Sequence, residues 1–292
     1  MYSAKALVFL VGICAATAAE FSGESALKLT ARAVAFGERP SGSPAIEKTQ
    51  AWILRELRKA KCRISEDAFV AATPVGPKKM RNIIATFPGT SGRQIVISGH
   101  YDTKPQAGFV GANDGGSSTG LLLEMVRVLR GQKRTDTVVL VFFDGEEAVR
   151  EWSDIDSLYG SRHLADKWKA DGTLSKVRAL INVDMIGDKG LDILREAGSN
   201  FSLVRLIWQS ARDLGHGSKF LPTGMPIDDD HQPFLKFGVA AADLIDFNYG
   251  PANEYWHTVH DTIDKLGAGS FQAVGDTLLL AIKRIEAGGM EQ

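Results

Sequence analysis

The chain has 292 residues, of which 44% are hydrophobic and 24% charged, and its formal net charge is −1. A chain of this length can bury a substantial core without disulfides or structural metals. Its near-neutral balance offers no electrostatic footprint for nucleic acid or an anionic membrane, so neither is expected as a stable partner.

The start of the chain reads as a secretory signal peptide. Lys5 gives a short positive segment, Ala6 to Ala19 is apolar or small, and both Ala16-Thr17-Ala18 and Thr17-Ala18-Ala19 offer small residues around a cleavage site. The apolar run is shorter than the ~20 residues that a membrane span needs. The expected organisation is a signal peptide over residues 1–19 and a single catalytic domain over residues 20–292, secreted or periplasmic. Cys14 leaves with the signal, so Cys62 stands alone and reads as a structural thiol.

Helical periodicity runs from Glu24 to Phe36 and stops at Gly37. Arg39 to Pro44 forms a rigid turn, and a second amphipathic helix follows from Ala45 to Ala60. Lys61 to Thr73 and Arg81 to Phe87 are strand-like, with the Pro/Gly-rich stretch Pro74 to Lys79 expected to separate them. The apolar strand around Ile95-Val96-Ile97 runs into His100-Tyr101-Asp102, then a Gly-rich loop carries Asn113-Asp114. Ser117 is expected to cap the helix that continues to Arg130. Thr137 to Phe143 is a continuous apolar run, the pattern of a strand covered on both faces, and it ends at Asp144-Gly145-Glu146-Glu147. Leu180 to Met185, carrying Asp184, and Val239 to Leu244 repeat that pattern. Strands alternating with helices imply an α/β three-layer sandwich, a mixed and mostly parallel central sheet between layers of helices.

In open α/β sheets ligands bind beyond the carboxyl ends of the strands. His100, Glu146, Glu147 and Asp184 all fall where an expected strand has just ended, and Asp114 is in the loop after one such strand. Asp229 and His231 open an expected helix, and His257 follows the last strand. Taken singly, such carboxylates are more often solvated or capping residues. Imidazoles and carboxylates converging on one edge are the donor set of a metal site. Adjacent Glu146 and Glu147 can point different ways, one to a metal and one to a substrate. Asp184 interrupts the apolar run from Ile181 to Ile186, which argues against casual solvation.

The order His100, Asp114, Glu147, Asp184, His257, with Glu146 ahead of Glu147, resembles the two-zinc aminopeptidases, and the turn from Gly37 to Pro44 is similar to theirs. A closer resemblance is to the glutaminyl cyclases, which share that fold. Three segments carry it: Phe142 to Ala148 with Trp152 and the block Asp156 to Ala165; Asp229-Asp230-His231 with Pro233-Phe234; and Trp256-His257-Thr258. The resemblance implies one zinc ion per chain held by Asp114, Glu147 and His257, with a coordination position left for substrate. It makes Glu146 the general acid/base, Asp184 and Asp229 catalytic partners hydrogen-bonded to each other, and Trp152 and Trp256 substrate-binding walls. For both tryptophans the residues alone favour core packing. The implied reaction closes N-terminal glutamine of a peptide or protein, with glutamate as a further candidate, to pyroglutamate with loss of ammonia. A monomer is expected.

Two departures from that family stand out. Animal cyclases usually carry a histidine where this chain has Asp243, and they have a disulfide near the site that this chain cannot form. His163 and His231 read as structural. Two other readings stay open on the sequence: a two-zinc aminopeptidase, since all five ligand types for two metals are present, and a binding protein on the same fold.

Overall fold

A computed structural model describes residues 19–290. The signal-peptide reading covers residues 1–19 and so, but for its last residue, lies outside the described residues. Helices α1 (Gly23–Val34) and α2 (Pro44–Arg58) come first. Ser22 and Ser43 start them, each accepting a backbone N–H from three residues on. A hairpin follows, β1 (Arg63–Thr73) and β2 (Gly76–Phe87), then β3 (Gln94–His100), α3 (Gly116–Leu129) and β4 (Thr137–Phe143). The remainder is α4 (Tyr159–Ala170), β5 (Val177–Asp184), β6 (Leu194–Arg195), α5 (Phe201–Asp213), α6 (Gln232–Leu235), β7 (Ala241–Ile245) and α7 (Ala268–Glu286).

The strands form one sheet in the order β1-β2-β4-β3-β5-β7-β6. The central pairs β3/β4, β3/β5 and β5/β7 are parallel, and the outer pairs are antiparallel. Both faces are covered, as the continuous apolar strands require. In β4, Val138, Leu140 and Phe142 face the core built with α1, α2, α3, α5 and α7, while Val139, Val141 and Phe143 face Leu164, Trp168 and Phe234 of α4 and α6. Each such fully buried side chain contributes about 1.5–3 kcal/mol. Among the described residues, no helix is long and apolar enough to cross a membrane.

Two local expectations are corrected. Pro74 to Lys79 does not separate two independent strands: Thr73 pairs with Gly76, so β1 and β2 continue to a tight turn at Pro74-Val75. The turn residues are confined to the tip, and Lys78 and Lys79 are ladder residues. Ser117 does not cap α3. Gly115 holds the cap position at φ 76°, and Ser117 lies in the first turn, its hydroxyl donating to Asn113 O and accepting from Ile186 N–H. A side chain at Gly115 would meet Asp102 O at 2.4 Å as well as adopting a left-handed backbone, so glycine is required there.

Candidate metal centre and substrate cleft

The parallel strands β3, β4 and β5 end together, and the loops beyond them carry the chemistry. His100 is the last residue of β3 and Asp184 the last of β5. Beyond β4 the chain turns at Gly145, whose φ of 71° and 2.5 Å clearance to Met80 Sδ exclude a side chain. That turn sends Glu146 and Glu147 apart. Glu147 Oε1 lies 3.2 Å from His257 Nε2, whereas Glu146 Oε2 lies 3.8 Å from His100 Nδ1 and lines the cleft.

Two groups of potential ligands share Asp114: Asp114, Glu147 and His257, and His100, Asp114 and Asp184. His257 Nε2 lies 3.2 Å from Asp114 Oδ2, and His100 Nε2 lies 3.2 Å from Asp114 Oδ1 and 3.1 Å from Asp184 Oδ1. Asp114 Oδ2 and both oxygens of Glu147 are buried without a hydrogen-bond donor. A buried carboxylate oxygen without a donor calls for a cation. The donors are one imidazole nitrogen and two carboxylates, which suits a divalent metal of the zinc type.

The titration behaviour points the same way. Burial would push the His257 imidazole down, but the carboxylates of Asp114 and Glu147, each 3.2 Å from its Nε2, outweigh it and hold the group up at about 10. Burial would likewise raise Asp114, yet its contacts with His100 and His257 bring it below the usual carboxylate range. Burial drives Glu146 well above that range, the His100 charge opposing and those of Glu147, Asp229 and Asp230 adding. A carboxyl whose proton affinity is raised by burial is suited to exchanging a proton with a substrate.

A cleft of about 360 Å³ opens over this centre, lined by Asp114, Glu146, Asp184, Asp229, Trp256 and His257, with Trp152 and Asp228 at its mouth. Trp256 stacks on His257, ring centroids 4.2 Å apart, and tilts against Phe247. Trp152 is 39% exposed, and its indole Nε1–H donates to Asp228 at 3.2 Å. The packing preference taken from the residues alone fails for exposed Trp152, whereas half-buried Trp256 both packs against the core and lines the cleft. The loop that carries Trp152 is tied down by buried Asp156, which accepts the N–H groups of Val149, Arg150 and Glu151 and the Tyr159 hydroxyl. Tyr159 and Asp156 both belong to the block that resembles the cyclases.

Asp184 and Asp229 both line the cleft. Burial, with the Asp184 charge second, raises Asp229 to about 6, and its Oδ1 accepts the Asp230 N–H. Asp243 is buried and pushed well above the ordinary range by burial and by the charges of Asp229 and Asp184. Asn182 Nδ2 donates to Asp243 Oδ1 at 3.2 Å, and Ser98 donates to Asn182. The position where animal cyclases usually carry a histidine is thus held here by a buried carboxyl.

Every residue singled out as a site member from the sequence reaches this one region. His163 and His231 lie elsewhere: His163 stacks on Phe69 and approaches Asp67, and buried His231 approaches Glu196 at 3.1 Å. Cys62 is half-buried, its thiol directed at Leu57 O. Sequence reasoning missed three contributors. Asp102 accepts the N–H groups of Glu146 and Glu147, Asp228 holds Trp152, and Asp261 accepts from the loop of Asp114. Asp102 was within reach, two residues past His100 at a strand end.

An open α/β sheet with a His/Asp/Glu centre at its carboxyl edge defines an enzyme of the metallo-aminopeptidase class. The model of peptidase family M28 matches residues 82–282. A glutaminyl-peptide cyclotransferase of Bos taurus is 32% identical over 78% of this chain and 73% of its own length. The crystal structure of an Acidobacteriales bacterium glutaminyl cyclase superposes with a TM-score of 0.90 at 41% identity, covering 98% of this chain and 100% of that one. That of the Porphyromonas gingivalis glutaminyl cyclase gives 0.83 at 30% identity, covering 90% and 98%. The chain belongs to peptidase family M28 and, within it, to the glutaminyl-peptide cyclotransferases.

Proposed function

We infer that this enzyme converts N-terminal glutamine of peptides to pyroglutamate with release of ammonia, using one zinc ion held by Asp114, Glu147 and His257. The observation that carries the reading is the divergence of the two adjacent glutamates, Glu147 toward His257 and Glu146 into the cleft. When bound, the zinc supplies Lewis-acid polarisation of the substrate amide carbonyl. Glu146 takes a proton from the attacking α-amine and delivers it to the departing nitrogen, a role suited to its raised proton affinity. Asp229 and Asp184 hold the leaving group by hydrogen bonds. Trp256 and Trp152 give apolar walls that fold the glutamine side chain back on its own amine and keep water from the carbonyl. The signal-peptide reading of residues 1–19 places the enzyme outside the cytoplasm, acting as a monomer on exported peptides.

The test is a mass-spectrometric assay of the purified protein on a short peptide beginning with glutamine. Loss of one ammonia, abolished by a zinc chelator, is the expected result. Removal of the whole N-terminal residue would instead make the chain a peptidase. The cluster of His100, Asp114 and Asp184 favours that second reading, since it is the ligand set a second metal would use.

A further inference from the structure

The segment from Tyr249 to Asp261 carries His257 in a demanding backbone conformation. Ala252, Asn253 and His257 all have left-handed φ values, of 51°, 61° and 53°. Such conformations disfavour residues other than glycine and persist only where surrounding contacts over-determine them. At His257 one restraint is Gln106, whose side-chain amide donates to His257 O at 2.9 Å, and another is the edge of Phe109 against the ring.

The firmest restraint lies four residues on. The Asp261 carboxylate, fully buried, accepts the Asn113 N–H at 2.8 Å and the Tyr249 hydroxyl at 2.7 Å on Oδ1, and the Asp114 N–H at 3.1 Å on Oδ2. Its own N–H donates to Thr258 O, next to His257. One side chain therefore joins the loop of His257 to the backbone of Asp114 and to the start of its own segment. On the far side of the Asp114 loop, Asn113 Oδ1 accepts the Gly187 N–H at 2.7 Å, so Asp261 closes a bracket around that loop.

We propose that Asp261 is a positioning residue for the metal centre: it holds the Asp114 and His257 loops in register so that both ligands are presented together. The inference rests on the reading of Asp114, Glu147 and His257 as metal ligands. Partners that orient ligands are worth about 10–100-fold in metal affinity. Asparagine at this position presents an amide NH₂ to one of the N–H donors, breaking one side of the bracket while preserving size.

The test is zinc affinity of the metal-free protein, by competition with a chelating dye, read beside the thermal midpoint of the same metal-free sample. For Asp261→Asn the expected result is a zinc dissociation constant raised about 10–100-fold, in a protein that still unfolds cooperatively. A dissociation constant equal to wild type overturns the proposal. Should that variant fail to fold, Tyr249→Phe decides: it frees one side of Oδ1 and is expected to weaken zinc about threefold with the metal-free midpoint unchanged. Unchanged affinity in Tyr249→Phe overturns the proposal in that case. A wild type that binds no zinc overturns both this proposal and the ligand assignment beneath it, whereas tight wild-type binding with an indifferent Asp261→Asn overturns this one alone.

Discussion

Asp114 faces two histidines, and the two sides of this carboxylate differ in how much of their bonding is complete. On the His100 side, Asp184 Oδ1 accepts the Met185 N–H at 2.7 Å and contacts the imidazole, and the group is sealed, with His100 only 1% exposed. On the His257 side, three carboxylate oxygens lack donors and the histidine side chain is 17% exposed at the cleft. The difference separates a ligand set from a site. Ligand types are present in both places, but the unsatisfied carboxylate oxygens gather on the second, beside the cleft.

That comparison breaks most visibly at Glu147. Glu147→Gln is expected to bring cyclisation to background and zinc content from one ion per chain toward none, measured by ammonia release and elemental analysis. Glu146→Gln should cost about 10²–10⁴-fold in kcat while zinc content stays at one, since this glutamate faces the cleft. Should zinc fall with it, the two glutamates do not divide the work as their geometry suggests. His100→Gln sharpens the other side. Zinc content is expected to stay unchanged, with stability falling by about 3–5 kcal/mol in denaturant titration because buried carboxylates lose their cationic partner. A drop from two ions to one would instead make His100 a ligand.

The smallest effect lies away from both clusters. Burial pushes the Asp246 carboxyl from 3.8 to about 7, so the folded chain binds its proton more tightly than the unfolded chain does. Its contribution is full below the unfolded value and is lost as pH rises through about 7, a swing on the order of 3 kcal/mol. Relative to Asp246→Asn, the wild type should therefore gain thermal stability on acidification from pH ~7 to ~4. Equal midpoint differences at both pH values would refute this.

The apolar runs in β3, β4 and β5 were legible because both faces of a central strand are covered, and the ligands followed from where those runs stop. His100, Asp114, Glu147, Asp184 and His257 were legible as candidate ligands from residue type and order, and the choice of Asp114, Glu147 and His257 among them is what the resemblance to the cyclases implies. What was not legible is partner choice. Asn182 of β5 donates to Asp243 of β7, and Asp261 reaches back to residues 113 and 114. Both depend on how β7 and the following loop sit against β5 and the Asp114 loop, which no local period encodes. The start of α3 escaped for a different reason. Serine is a frequent cap, but the carbonyl of Asp102 leaves room only for glycine at position 115.

The cage around Asp156 bears on how substrate is received. Three consecutive amides and a tyrosine hydroxyl anchor the loop to one buried carboxylate, and Trp152 is hydrogen-bonded to Asp228 across the entrance. The doorway is a fixed frame rather than a swinging lid. An incoming peptide does not have to freeze this wall, and the entropy of ordering it was spent when the chain folded. Discrimination then falls to the fit of one short side chain into a rigid recess, while whatever trails behind it remains in solvent.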